Sequence, residues 1–388
     1  MEWGAYLCFG VGPSPASSPD GDLERLSGRL QAALKQQGLS KFSSTVAIQF
    51  VSSRLQSANG SKMKHAIQYL LGLVNRVPRP LDFPGWELRQ RSTHRCPQLV
   101  PGLRGTPFWD TADLPWVRAL EDSYPDIRRE FFALRSAQEG GGFQNYRSPR
   151  PLESTAAGEV EGDSEAPVSP GLEATDKGQW NVCYFYLHGM DFGDNLSRCP
   201  MTRRAIEAVP RHYHHALFSS LAPDTHVKPH CGPTNKKLRC HLPIFVPPSS
   251  AVPGSSSTAD DPEAPDGAWL RVGGEFRALQ EGKCVVFDDS FEHEAANPSL
   301  QQPRAVLIID VWHPDLSDEE VKFFDFVNNA QIKAAKAISG AIAKARAEGG
   351  AEGAEEVAAA GEDFFQLISA AREKGIEEEE ASHIWPSD

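Results

Sequence analysis

Cysteine is scarce and scattered in this 388-residue chain: seven residues, at 8, 96, 183, 199, 231, 240 and 284, with no CxxC pair among them. An odd, dispersed set argues against a disulfide framework and against a cysteine-rich zinc site. A reduced, cytoplasmic compartment is the expectation. Long hydrophobic runs are missing too. The longest, around "AVLIID", is strand-sized, far short of the ~20 residues a membrane-spanning helix needs, so no transmembrane segment is expected. The opening "MEWGAYLCFGVGPSPASS" has no basic stretch ahead of its short apolar run, which argues against a secretory signal. Positive charge is also in deficit, with 39 Lys and Arg against 52 Asp and Glu and a net charge of −13. Residues 317–388 hold 16 acidic and 7 basic side chains and so supply −9 of it. The acidity is a property of the tail, and no nucleic-acid partner is expected.

Proline and glycine are plentiful, 30 and 32 residues, and they divide the chain. Residues 1–77 form a helical N-terminal extension: Leu23, Leu26, Leu30 and Leu34 follow helical spacing, and "KMKHAIQYLLGLVNR" reads as a second amphipathic helix. The prolines of "VPRPLDFPGW" end that region. A main domain is expected over 78–316. It begins with a helical segment at 114–136, interrupted by Pro125, and carries two flexible insertions at 137–178 and 247–267. From Trp180 onward, short strand-like runs alternate with turns: "NVCYFYLH", "HALFSSL", "LRCHLPIFV", "AWLRV", "EFRAL", "KCVVFDD" and "RAVLIIDVW". That texture predicts an antiparallel sandwich or barrel, with the 247–267 loop at a hairpin tip. Residues 317–388 form an acidic helical tail, opened by a Ser317–Glu320 capping box and expected to be solvent-exposed.

Two histidines carry the first chemical signal. His230 closes a strand-like run before "CGPTN", and His293 lies in "FDDSFEHEAAN" just after an apolar strand. Imidazoles projecting from neighbouring barrel strands suit Fe(II), although a chain with twelve histidines can hold such a pair by chance. In "LRCHLPIFV", strand alternation sets Arg239 and His241 on the face of Pro243 and Phe245, opposite Leu238, Cys240, Leu242 and Ile244. Either an anion meets these basic groups or they point to solvent from an edge strand. Arg304 opens "RAVLIIDVW" eleven residues after His293, and with a hydroxyl such as Ser219 it could grip a carboxylate in bidentate fashion.

The motifs "THVKPHCGPTNKKLRCHL", "VVFDDSFEHEAAN" and "RAVLIIDVWHPDL", in that order, resemble the catalytic domain of the aspartyl/asparaginyl β-hydroxylase family. The resemblance is firm over 180–316 and fainter over 86–136. It implies a mainly β protein with flanking helices around a double-stranded β-helix (a jelly-roll or cupin-like core). It also implies Fe(II) as metal and 2-oxoglutarate and O2 as co-substrates. Carried over, His230 and His293 would be the iron ligands, Arg304 and Ser219 would hold the distal carboxylate of 2-oxoglutarate, and Arg239 and His241 would approach its iron-chelating end. The family resembled lacks a third, carboxylate ligand; Gly232 takes that place, and the backbone there is expected to leave space open. Asp288 and Asp289 are rival carboxylates, expected instead to orient the loop carrying His293.

Two departures bear on substrate: "HEAAN" lacks an aromatic residue after the second histidine, and Lys237 replaces an arginine common in the family. The leading expectation is hydroxylation of an unactivated carbon, the β-carbon of Asp or Asn in a peptide or protein. A small molecule or lipid acyl chain is the alternative substrate. A halogenase and a non-catalytic metal-binding barrel are the rival readings.

Overall fold

The computed structural model describes residues 19–56, 60–75, 96, 98–136, 142–146, 174–187, 190–248, 265 and 267–347. The first eighteen residues, the "VPRPLDFPGW" boundary, most of both insertions and the end of the acidic tail lie outside them. The chain divides into two compact units. One contains the N-terminal helices and the segment from Leu316 onward; the other contains 103–315.

The first unit is helical: α1 (Pro19–Gln36), α2 (Lys41–Gln56), α3 (Lys64–Asn75) and α8 (Asp318–Ala347). Leu34, Met63, Leu70, Phe323, Phe324 and Val327 are buried in it. The expectation of an exposed tail is therefore corrected for the start of α8, whose aromatic residues pack inward while its Ala, Glu and Lys residues set the composition. The capping box forms, with the Glu320 amide donating to Ser317 Oγ at 3.1 Å and the Ser317 amide donating to Glu320 Oε2 at 2.9 Å. Glu320 also accepts from the His65 and Ala66 amides at the start of α3. No described helix is long and apolar enough to cross a membrane.

The second unit is built from two antiparallel sheets. Strands β1 (Phe108–Trp109), β2 (Gln144–Asn145), β4 (Trp180–Leu187), β5 (Met190–Asp191), β6 (His212–Leu221), β8 (Lys237–Phe245), β11 (Val285–Phe287) and β13 (Arg304–Trp312) form the larger, in the order β1-β11-β8-β13-β6-β4-β2 with β5 beside β4. Strands β3 (Thr175–Lys177), β7 (Thr225–His230), β9 (Trp269–Val272), β10 (Glu275–Ala278) and β12 (His293–Asn297) form the smaller, in the order β10-β9-β12-β7-β3. Helices α4 (Trp116–Asp122), α5 (Tyr124–Arg135), α6 (Gly193–Arg198) and α7 (Pro200–Glu207) complete the unit. The break between α4 and α5 falls at Ser123, which places Pro125 in the first turn of α5, where its missing N–H costs nothing.

Alternation sorts the larger sheet's side chains into two cores. Leu238, Cys240, Leu242 and Ile244 of β8 join Leu307 and Ile309 of β13 against Val117, Ile127, Phe131 and Ile206 of the helices. The other face, with Val182, Leu217, Val306 and Ile308, packs against Val227, Leu270, Val272 and Ala295 of the smaller sheet. A jelly-roll core follows, with an apolar layer packed between the two sheets. Strand β8 lies between β11 and β13, so Arg239 and His241 do not look out from an edge.

Two expectations about the insertions are corrected. Gln144–Asn145 pairs with β4 and Thr175–Lys177 pairs with β7, so both ends of 137–178 belong to the sheets. The Tyr146 ring stacks on Trp180 with centroids 3.8 Å apart, which holds the first of these ends. The 247–267 segment is not a hairpin tip, because β8 and β9 lie in different sheets.

Candidate active site

The His pair is set by strand register. His230 ends β7 and His293 begins β12, and the two are directly opposite in the antiparallel ladder, with ring centroids 4.1 Å apart. His230 Nδ1 donates to the Lys228 carbonyl at 2.8 Å, and His293 Nδ1 donates to the Phe291 carbonyl at 3.0 Å. A carbonyl can only accept, so each ring carries a proton on Nδ1, which leaves Nε2 as the nitrogen a metal could use. Burial, and next the adjacent His230, hold the His293 pKa well below the ordinary histidine value. The donor set thus fits a divalent iron. Among the described residues, no group of three or more His, Cys, Asp or Glu side chains could hold a metal ion.

Across the sandwich lies Arg304, 2% exposed, whose Nε and Nη2 have no hydrogen-bond partner among the described residues. Burial pulls its pKa down to about 10. A buried guanidinium with open donors is costly until a carboxylate meets it. Both ring nitrogens of His241 are likewise buried without partners among the described residues. Burial first, then the Arg304 and Arg239 charges, keep this imidazole neutral. Phe287 lies between His241 and His293, its ring 5.0 Å from the first and 5.5 Å from the second. Ser219 lies opposite Val306, on the same face as Arg304 in the adjacent strand. Trp180 Nε1 donates to Ser219 Oγ at 2.9 Å, which leaves the serine hydroxyl to donate elsewhere.

Arg239 behaves differently from the expected open cation. Its Nε and Nη2 donate to Asp310 at 2.8 and 2.9 Å, a bidentate pair, and Nη1 lies 3.4 Å from Asp289 Oδ2. Lys237 Nζ reaches Asp289 at 2.6 Å and Asp310 at 2.9 Å, and His215 Nδ1 lies 2.7 Å from Asp310. Burial alone would lower the Arg239 pKa, but Asp310 and then Asp289 outweigh it and hold the group above its ordinary value. Burial would raise Asp310, yet Arg239, Lys237 and His215 hold it well below the usual carboxylate range.

Gly232 is the second correction. A Cβ there would lie 2.5 Å from Asp289 Cγ and 2.5 Å from Oδ2, so the backbone leaves no open space. The Gly232 amide donates to the Asp289 carbonyl at 2.6 Å, fixing the approach. Asp288 does brace its loop, its Oδ1 accepting from the Ser290 amide at 3.0 Å and from the Ser290 hydroxyl. Asp289 instead belongs to the ion-pair cluster.

Sequence reasoning missed Asp310 and the pairing of Lys237. Both were open to the same period of two: Asp310 follows Arg304, Val306 and Ile308 on one face, and Lys237 precedes Arg239 and His241. What the pattern could not supply was the register that sets Asp310 opposite Arg239.

The two-sheet jelly roll thus carries paired imidazoles on one sheet and, on the other, a buried arginine whose Nε and Nη2 have no hydrogen-bond partner among the described residues. Residues 121–314 match the family described as "Aspartyl/Asparaginyl beta-hydroxylase". The chain belongs to this family. The human "Aspartate beta-hydroxylase domain-containing protein 2" is 27% identical over 274 residues, 68% of this chain and 63% of its own length. The human "Aspartate beta-hydroxylase domain-containing protein 1" is 31% identical over 240 residues, 59% of this chain and 50% of its own. The human "Aspartyl/asparaginyl beta-hydroxylase" is 27% identical over 260 residues, 64% of this chain and 29% of its own. The chain thus spans less than two thirds of the length of each of these relatives.

Proposed function

We propose that this protein is an Fe(II)- and 2-oxoglutarate-dependent dioxygenase that hydroxylates an unactivated carbon, with the β-carbon of an Asp or Asn residue in a peptide or protein as substrate. The observation that carries the reading is Arg304: a fully buried guanidinium, with Nε and Nη2 unsatisfied among the described residues, beside a neutral His241. Such a group calls for a small carboxylate-bearing ligand, and a dicarboxylic keto acid fits.

His230 and His293 would hold the metal through Nε2, with Nδ1 of each ring anchored on the backbone. Iron bound there would supply the oxidation chemistry, using O2 and the co-substrate. The chain's own work is binding and orientation. Arg304 would take the distal carboxylate in its planar fork, and the Ser219 hydroxyl, turned by Trp180, would donate to the same group. His241, held neutral, would donate or accept one hydrogen bond without adding charge. The apolar residues between the sheets, Val306, Ile308 and Phe287 among them, would keep bulk water from the reacting end.

The test is anaerobic reconstitution. Protein given Fe(II) and 2-oxoglutarate should bind about one iron and develop a weak visible charge-transfer band, and succinate should form once O2 and a peptide substrate are added. His230→Ala and His293→Ala should each remove the band while the circular-dichroism spectrum holds. Retention of stoichiometric iron by both variants rules the assignment out.

A further inference from the structure

We infer that Tyr146 is a positioning residue for the co-substrate: its ring fixes the Trp180 indole, and the indole aims the Ser219 hydroxyl at the far carboxylate. The inference rests on the reading above, in which Ser219 and Arg304 hold that carboxylate. Register sets the arrangement. Leu221 stands opposite Arg304 of β13 on one side and opposite Trp180 of β4 on the other, so the arginine and the indole flank it in one cross-strand row. Ser219 lies two residues before Leu221, on the same face and diagonal to both. It is 2% exposed, and the Trp180 Nε1–H reaches its oxygen at 2.9 Å.

Trp180 is only half-buried, and its second side-chain torsion is intrinsically broad. Its Nε1 stays on Ser219 only while the plane of the indole is held. Tyr146 supplies that hold. Its ring lies 3.8 Å from the Trp180 ring with the planes 17° apart, and its amide donates to the Trp180 carbonyl at 2.8 Å. One residue therefore grips both the backbone and the side chain of Trp180. Strand β2 contributes little beside it, with two register pairs, Gln144 to Val182 and Asn145 to Asn181. Phe143 anchors the opposite side, edge-on to Phe131 at 5.8 Å in the helix-side core, while Tyr146 packs on the layer between the sheets. A serine that accepts from the indole keeps one proton to direct at a ligand. With the indole loose, that hydroxyl has to be ordered by the ligand itself. The effect is reciprocal: whatever factor Tyr146 contributes to binding, the bound co-substrate returns to the Tyr146–Trp180 contact.

Anaerobic titration of the intact, iron-loaded protein tests this through the charge-transfer band, without turnover. Two ligands are compared: 2-oxoglutarate, and 2-oxobutyrate, which keeps the keto acid end and lacks the far carboxylate. The wild-type protein should bind 2-oxoglutarate more tightly, and Arg304→Ala should erase that preference. Tyr146→Ala should weaken 2-oxoglutarate by about three- to tenfold, the scale of an aromatic stack, and leave 2-oxobutyrate unchanged. Tyr146→Phe keeps the ring and should bind both ligands as the wild-type protein does. Hydrogen exchange needs no variant and so stays decisive if Tyr146→Ala does not fold. The amides of 142–146 should exchange at least about threefold more slowly with 2-oxoglutarate bound, and not with 2-oxobutyrate. Equal weakening of both ligands by Tyr146→Ala would make the residue merely structural and overturn the inference, as would exchange rates indifferent to 2-oxoglutarate. If the preference for 2-oxoglutarate depends on Arg304 but not on Tyr146, the inference falls and the co-substrate reading stands. If the wild-type protein shows no preference, both fall together.

Discussion

The carboxylate of Asp289 occupies the volume that any side chain at Gly232 would need, 2.5 Å from the ideal Cβ position. Adding a carboxylate at 232 cannot therefore simply complete a metal-ligand set. Gly232→Ala should destabilise the fold by about 1–3 kcal/mol, the usual cost of overpacking, and Gly232→Asp by more, since it sets a second anion against the first. Combining Gly232→Ala with Asp289→Ala removes the clash, so the double variant should lose less than the sum of the single losses in denaturant unfolding. Strict additivity would show that close approach is not what demands glycine here.

Arg304 should trade stability for binding. Arg304→Met removes a buried charge that no carboxylate among the described residues meets, so the free protein should melt at a higher temperature than wild type. The stabilisation that 2-oxoglutarate gives the wild-type protein should vanish in this variant. Arg304→Ala and Arg304→Lys should each raise the apparent KM for 2-oxoglutarate more than tenfold, because a buried charged partner is worth about 2–5 kcal/mol on truncation and a point charge cannot replace the fork. Normal turnover at low 2-oxoglutarate in both would place the co-substrate elsewhere.

Trp180→Phe keeps the ring that stacks on Tyr146 but deletes the donor to Ser219. The serine hydroxyl then rotates more freely, and the KM for 2-oxoglutarate should rise by a few-fold, well short of the Arg304 effect, with kcat little changed. Ser219→Ala combined with Trp180→Phe should be no worse than Ser219→Ala alone if the indole acts through the hydroxyl.

The smaller sheet should show a pH dependence on its alkaline side. His226 lies with Nδ1 2.7 Å from Asp176 and Nε2 2.8 Å from Glu294, so both nitrogens donate and the ring is held as imidazolium. The Glu294 hydrogen bond, opposed by burial and aided by Asp176, raises its pKa above the ordinary value; Arg271, paired with the same Glu294, is the facing cation. A raised folded-state pKa contributes stability that is complete below about 6.5, the unfolded value, and is lost as pH climbs through the folded value. Between pH 6 and 9 the wild-type Tm should fall more than that of His226→Gln; parallel curves would refute the assignment.

The long strands were legible because each carries four or more alternating positions: β6, β8 and β13 all appear in the runs read between Trp180 and Trp312. Strands of two or three residues, β1, β2 and β3, have too little sequence to show a period, and they are made by their partners. The start of α8 was misjudged because Ala, Glu and Lys dominate its composition, whereas burial depends on Phe323, Phe324 and Val327 sharing one side. At the site, His230, His293 and Arg304 stood out as chemical types in a recognisable order. The neutralisation of Arg239 did not, since it exists only once β13 lies against β8 and brings Asp310 opposite. Gly232 showed the same limit: its identity records the nearness of a residue 57 positions away.

The pairing of His230 with His293 across adjacent strands has a consequence for how such a protein can diversify. Ladder hydrogen bonds fix the spacing of the two imidazoles, and a slip of one residue would turn either one to the opposite side of its sheet. The connections between strands carry none of that constraint. Insertions and substitutions in them can change what is admitted while the reactive geometry stays as it was, so new substrates can be explored by altering the approach and leaving the centre untouched.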